Sequence, residues 1–338
     1  MENKYLFEPV EINKLNEEEY NASPKKSVFT TLEWVEYIKE DSGAEPIIIR
    51  ITECGSFVGY FTGLIFRKFG VKIAASPFEG WSTCYMGLDL ISGNERTEII
   101  DELSAFIFKK YHCLYIEICD RFISVQEAAD KGLTVLPQDT LELEIDKTDE
   151  ELFKVFKTDC RNFIRQFERR GASIEIAEPN DDFAEEYYRQ LEVVFAKQRL
   201  VPTYSLKKVK CLIRHMRDSG NILCLTVRNP EGKSIASSIF FGYKERFFFW
   251  GGASYRPEQH YRPNEYMIWT AIKYWRERGC RIFDMVGVRD YKRKFGSHEE
   301  SYAKIIIPKY KILFVLRNIA KRIFFLSIKI KGKIFNKK

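Results

Sequence analysis

Residues 234–296 read SIASSIFFGYKERFFFWGGASYRPEQHYRPNEYMIWTAIKYWRERGCRIFDMVGVRDYKRKFG, and this run decides the fold. Ser234–Tyr243 and Arg246–Ala253 are apolar, aromatic-rich runs split by Lys244-Glu245, which predicts a pair of strands. Pro263–Arg278 predicts a helix with proline in its first turn. Ile282–Val288 predicts a further strand. Hairpin, helix, strand is the order of a mixed α/β sheet in which the helix crosses over between neighbouring strands.

Upstream, Leu141–Ile145 alternates like an edge strand, and Asp149–Arg170 predicts one long helix stopped by Gly171. Helices are expected over Phe183–Arg199 and Ser205–Asp218, then a strand over Ile222–Arg228. Tyr302–Ile307 predicts a last strand. The first half follows the same grammar. Phe29–Asp41 predicts a helix capped by Thr30 or Thr31 and stopped by Gly43. Pro46–Thr52 and Ser56–Arg67 predict a hairpin, and Val71–Ser76 a third strand. Glu95–Tyr111 predicts a helix, Leu114–Cys119 a strand, Ser124–Lys131 a short helix and Leu133–Pro137 a strand. Pro137-Gln138-Asp139 interrupts the pattern, so the chain is expected to divide into residues 1–140, residues 141–308 and a tail, 309–338.

The totals suit two globular units. The chain has 338 residues, 45% hydrophobic and 30% charged, enough to bury two cores. The start, Met1-Glu2-Asn3-Lys4, leads into mixed polar sequence with no apolar segment of signal-peptide type, so a cytoplasmic location is expected. The eight cysteines form no CxxC and only four histidines are present, so neither a disulfide framework nor a metal site is expected. The net charge of +6 belongs to the tail. Residues 309–338 hold ten Lys or Arg and no acid, and the remainder has 44 basic against 48 acidic residues.

Within the long helix, Leu152, Phe156, Cys160, Phe163 and Phe167 form a core stripe. Lys157, Arg161, Arg165 and Arg169 form a basic one. That second stripe is either a solvated face or an edge that binds a phosphate-bearing acceptor or tRNA, with Arg161 and Arg165 as its candidates. No G-x-S-x-G elbow and no Ser-His-Asp order occurs, so a covalent nucleophile is not indicated. Asp284 stands in an otherwise apolar strand. A lone carboxylate there needs either a structural partner or a task, such as acting as a general base. Arg289, Lys292, Arg293 and Lys294 follow directly, a cluster suited to a pyrophosphate or an oxyanion, or else an ordinary surface turn. Trp250, Gly251 and Gly252 close an aromatic strand, where two glycines allow close approach of a ligand chain to the backbone, or simply form a packed bulge.

The ordered set WGG at 250–252, YRPNEYMIW at 261–269, FD at 283–284 and YKRKFG at 291–296 resembles the FemAB-like branch of the GNAT acyltransferase superfamily. That branch holds peptidoglycan bridge-forming aminoacyl transferases and related polysaccharide-cluster acetyltransferases. RNFIRQFERRG at 161–171 is similar to that branch's arginine helix ending in glycine. The likeness is good over about 141–308 and rests mainly on element order over 25–136. It implies an α/β (α+β) chain of two tandem GNAT-like domains, each a mixed, mostly antiparallel sheet flanked by helices.

It further implies that Lys294 and Phe295 line the donor side, Lys294 as a catalytic group beside Asp284, with Lys292 and Arg293 as further donor contacts, and the ligand chain beside Trp250, Gly251 and Gly252 would then be the donor's. Glu79 and Trp81, in the loop Ser76–Trp81, would face the acceptor. The glycine-bearing phosphate loop usual in GNAT enzymes is missing before Pro263, and Arg256 and Arg262 at the helix start are its expected substitutes. Some bridge-forming members carry a long helical arm, for which residues 172–222 leave little room. The expected donor is therefore acyl-coenzyme A, with aminoacyl-tRNA the alternative, and no metal is expected. The expected acceptor is an amine or hydroxyl of a sugar-nucleotide, lipid-linked or peptidoglycan precursor. A protein that keeps the fold without the reaction, serving envelope assembly, is the third reading. Ile312–Ile328 alternates apolar and basic residues, which suits a helix lying on an anionic membrane surface, with RNA contact or packing on the body as alternatives.

Overall fold

A computed structural model describes residues 4–312, 314, 315 and 319, apart from 69, 94, 198 and 199. The elements of the first half are β1 (Tyr5–Val10), α1 (Glu17–Tyr20), α2 (Leu32–Ser42), β2 (Glu45–Glu53), β3 (Ser56–Lys68), β4 (Val71–Ser76) and β5 (Leu88–Leu90). They continue with α3 (Arg96–Tyr111), β6 (Tyr115–Asp120), α4 (Val125–Asp130) and β7 (Thr134–Glu144). The second half has α5 (Asp149–Val155), α6 (Thr158–Arg169), β8 (Ser173–Ala177), α7 (Asp181–Ala196), α8 (Leu206–Met216), β9 (Ile222–Arg228) and β10 (Ser234–Tyr243). It ends with β11 (Arg246–Ser254), α9 (Pro263–Glu277), β12 (Ile282–Asp284) and β13 (His298–Pro308).

Among the described residues the strands make one sheet in the order β1-β2-β3-β4-β6-β13-β7-β12-β11-β10-β9-β8, with β5 paired to β3. Two parallel pairs stand out in a mostly antiparallel sheet. In each half a helix links the members of such a pair: α3 lies between β4 and β6, and α9 between β11 and β12 in the chain. This is the duplicated α/β pattern expected of tandem GNAT-like units. β13 does not stay with the second half. It inserts between β6 and β7 and pairs antiparallel with both.

The expected interruption at Pro137 does not occur, since β7 runs straight through it. Proline has no amide proton to give a ladder, so it is tolerated where a strand has one neighbour. Pro137 lies opposite Ala303 of β13, while β12 joins the other edge of β7 only from Glu142 onward. The expected single helix over 149–170 is two helices. Phe156 leaves α5 with an extended backbone, and the Lys157 N–H donates to the Lys294 carbonyl at 2.8 Å. The strand expected over 282–288 stops at Asp284, because Val286 (φ 57°) and Gly287 (φ 76°) both enter the left-handed region. Strands β1, β5 and β8 were not anticipated. Thr31 does cap α2 and Gly43 does end it, at φ 68°.

Helices cover both faces. On one face α3 and α4 seal the first half over Ile99, Leu103, Ile107 and Ile116. On the same face of the second half, α6 and α9 close over Cys160, Phe167, Ile272 and Phe283. The opposite face has one core common to both halves, in which α2 residues Trp34 and Ile38 meet Tyr187 of α7 and Leu212 of α8. Phe29 to Phe248 (4.5 Å between ring centres) and Trp34 to Phe241 (4.9 Å) carry aromatic contact across the seam. No helix among the described residues is long and apolar enough to cross a membrane. Most of the helix expected over Ile312–Ile328 lies outside the described residues.

Candidate functional site

Side chains alternate between faces along a strand, so Leu141 and Leu143, like Phe247 and Phe283, enter one core while their neighbours turn to the other face. Those neighbours are Thr140, Glu142, Arg246 and Asp284. The seam between the halves thus carries a polar strip in an aromatic surround. Glu142 accepts from Arg121 at 2.9 Å and from Arg246 at 2.7 Å, and Arg121 also reaches Glu300 at 3.2 Å. The loop before β5 brings Tyr85 over this strip, with its ring 5.9 Å from Phe248 and 5.6 Å from Tyr302.

Asp284 is fully buried at the end of β12. One carboxylate oxygen accepts from the Thr140 hydroxyl at 2.6 Å and from the Val286 N–H at 2.8 Å. The other oxygen is buried with no partner among the described residues, as are the Tyr85 hydroxyl and the Arg246 Nε. Burial raises the carboxyl to about 6, the charge of Glu142 adding to the rise while the Thr140 bond, Val286 and Arg246 oppose it. The pseudo-equivalent residue in the first half is Asp120, which ends β6. Both its oxygens are engaged: one accepts from Phe122 N–H, the other from Leu88 N–H and Arg96. Of the two strand-end carboxylates, Asp284 alone keeps an oxygen with no partner among the described residues.

The backbone around Asp284 is held by Lys292. Its ammonium is buried and donates to the carbonyls of Met285 (2.5 Å), Val286 (2.7 Å) and Gly287 (3.4 Å). Burial lowers this ammonium to about 8, with the charge of Asp284 acting to raise it. A β-branched residue at positive φ is strained, so the turn at Val286 needs such support. The Gly287 N–H, donating to Thr140 at 3.2 Å, closes the ring of contacts.

The ladder between β11 and β12 ends at Phe248–Asp284, yet β11 runs on to Ser254. The two parallel strands therefore part at Asp284. Trp250 is the extra residue of a bulge in β11, since Gly251 faces Ile239 and Phe249 faces Phe240. Its indole N–H is buried with no partner among the described residues. Gly251 is required, for a Cβ there would lie 2.3 Å from the Tyr187 hydroxyl. That hydroxyl shares a 2.6 Å hydrogen bond with Tyr204, whose ring lies 4.9 Å from Trp250. Tyr85, Arg246, Tyr187 and Tyr204 were not anticipated. The residue alternation around Asp284 could have indicated Arg246; the tyrosines come from distant loops and helices and leave no local signal.

The other expected site residues are placed as follows. Lys294 is ion-paired to the largely buried Glu265 of α9. Phe295 is wholly buried and packs edge-on against Phe156 at 5.5 Å. Arg293 pairs with Glu299 and Asp290. Arg262, at the N-terminus of α9 with φ 62°, lies 4.1 Å over the ring of Phe163 and reaches Gln166. Lys294 lies 5.5 Å over that same ring, so Arg262 and Lys294 come together, outside the Asp284 strip. Arg256 and Gly252 are exposed. Arg161 donates to the carbonyls of Phe153 and Phe156, bridging the break between α5 and α6. Arg165 is exposed beside Phe153. Trp81 is buried against Phe66 and Phe78, and Glu79 lies exposed two residues before it. Between α2 and α8, Glu40, Cys211 and His215 have ligand-type atoms within 4.8 Å of one another, with Glu40 held by Arg214 and His215.

Residues 154–293 match the family model described as an acetyltransferase (GNAT) domain. No curated protein matches the chain. Among solved structures the chain is similar to FemX, at 14% identity over 91% of this chain and 99% of that one, with a TM-score of 0.75. It is also similar to a tandem GNAT protein from the clavulanic acid biosynthesis pathway, at 11% identity over 90% and 99% of the two chains, with a TM-score of 0.52. L-PGS from Bacillus licheniformis matches at 10% identity over 87% and 96%, with a TM-score of 0.51. These findings show a GNAT domain over residues 154–293 and, over most of the chain, the fold of FemX and of a tandem GNAT protein.

Proposed function

We propose that this chain, which carries a GNAT acetyltransferase domain in its second half and the fold of FemX, transfers an acyl group from acyl-coenzyme A. The acceptor would be an amine or hydroxyl of a cell-envelope or polysaccharide precursor. The observation that carries the reading is the parting of β11 and β12 at Asp284, a buried carboxylate with one oxygen unengaged among the described residues. An extended acyl-pantetheine fits a slot whose edge is bare strand backbone, because the amide groups of β11 beyond Phe248 can pair with it as a missing strand would.

In this reading Asp284 is the general base. At neutral pH a carboxyl near 6 is ionised, yet basic enough to take the acceptor's proton. The acceptor nitrogen or oxygen attacks the thioester carbonyl, and the proton passes to Asp284. The carbon–sulfur bond then breaks, and the leaving thiolate takes a proton from Asp284 or from water. Lys292 is a positioning residue, holding the 285–287 turn that aims the Val286 N–H at Asp284. Lys294, ion-paired with Glu265 at the start of α9, stays a candidate catalytic group on the donor side. The basic tail supports peripheral attachment to an anionic membrane and a lipid-linked acceptor.

The test is thermal unfolding of the purified chain with acetyl-coenzyme A, longer acyl-coenzyme A, and charged or uncharged tRNA. A donor at 100 times its Kd stabilises the native state by about 2.7 kcal/mol. Stabilisation by acyl-coenzyme A is the expected result. Stabilisation by charged tRNA alone would turn the assignment to aminoacyl transfer.

A further inference from the structure

The first half also contains two parallel strands, β4 and β6, joined through a helix, and their ladder ends at Ser76–Ile118. β4 stops there while β6 continues two residues further, to Asp120, so a gap opens at the strand ends as it does beside Asp284, though here it is the strand after the helix that runs on. It is filled. The Met86 N–H donates to the Cys119 carbonyl at 3.1 Å, as a neighbouring strand would. The Gly87 N–H donates to the Ser76 hydroxyl at 2.9 Å, and that hydroxyl donates onward to the Thr62 carbonyl at 2.6 Å. The Leu88 N–H donates to Asp120 at 3.0 Å. Three successive amides thus bridge the ends of both strands.

The fit is close. Gly87 has φ 69°, and a Cβ there would stand 2.6 Å from an Asp120 carboxylate oxygen, so glycine alone is accommodated. Arg96 donates to Asp120 and to the Leu88 carbonyl, both at 2.8 Å, locking the segment from its far side. The same segment carries Tyr85 and Cys84 towards the second half, where the charge of Asp284 acts on both groups.

We infer that the first half has lost donor binding by closing its slot with its own residues 86–88, so that each chain takes one acyl donor, in the slot beside Asp284. This rests on the acyltransferase reading. The closing segment then serves the second half, as the support that sets Tyr85 over the polar strip.

Isothermal titration of the full chain with acetyl-coenzyme A tests the count. One molecule bound per chain is expected. Two per chain would overturn the inference and leave the donor reading standing, whereas no binding would overturn both. A photoreactive acyl-coenzyme A, followed by peptide mapping, tests the place. Label within residues 249–252 or 285–288 is expected. Label within 71–76 or 115–120 would show the first slot to be open and refute the closure.

Discussion

Replacing Asp284 with asparagine should make the protein more stable and less active, and the structure sets the size of the first effect. Asp284 is fully buried, and its carboxyl rises from 3.8 to about 6, first through desolvation. Between those values the folded state holds a proton that the unfolded state has released, so the folded state binds more protons and stability falls as pH rises. The loss begins near pH 4, is complete just above pH 6, and amounts to about 3 kcal/mol at most. Asparagine carries no charge to desolvate and keeps an oxygen for Thr140 and Val286. Asp284→Asn should therefore match the wild type below pH 4 and exceed it by up to about 3 kcal/mol at pH 7.5. Urea unfolding of both proteins across this range measures the difference. Loss of a general base should meanwhile cost about 10²- to 10⁴-fold in kcat. A variant less stable than wild type at pH 7.5, or a difference that does not change with pH, would mean that Asp284 is not a desolvated carboxylate in the folded protein.

Activity against pH should be bell-shaped. The rising limb near 6 reports ionisation of Asp284 and the falling limb near 8 the loss of charge on Lys292, and a steady-state pH profile of kcat/KM reads both. Lys292→Met should cost about 2–4 kcal/mol, since three carbonyls at the strained turn lose their donor, and calorimetric unfolding measures it. Gly251→Ala should cost about 1–3 kcal/mol through the clash with the Tyr187 hydroxyl, and Tyr187→Phe should recover part of it in the double variant, read by denaturant midpoints. Removing residues 309–338 should abolish sedimentation with vesicles rich in anionic lipid, with no change for zwitterionic vesicles.

Most of the fold was legible because its strands and helices carry strong local patterns. Val71–Ser76, Ile222–Arg228 and Ser234–Tyr243 appear with the bounds their composition suggested. What could not be read was set by distant partners. The helix over 149–170 breaks because Lys157 is drawn to the backbone of Lys294, and β7 survives Pro137 because its second neighbour starts late. At the site, Asp284 was visible as a charge in an apolar string, but its place at a strand end depends on left-handed Val286, which no local pattern announces. Lys292 and Lys294 stand two residues apart in the same basic run, and only the fold separates the one beside Asp284 from the one bound to Glu265.

The most direct test of acyl transfer at Asp284 is to offer labelled acetyl-coenzyme A to the wild type and to Asp284→Asn, together with a panel of amino sugars, sugar nucleotides and lipid-linked precursors. Label on an acceptor is expected with the wild type, and donor bound but not transferred with Asp284→Asn. Equal transfer by the two proteins would contradict acyl transfer at Asp284.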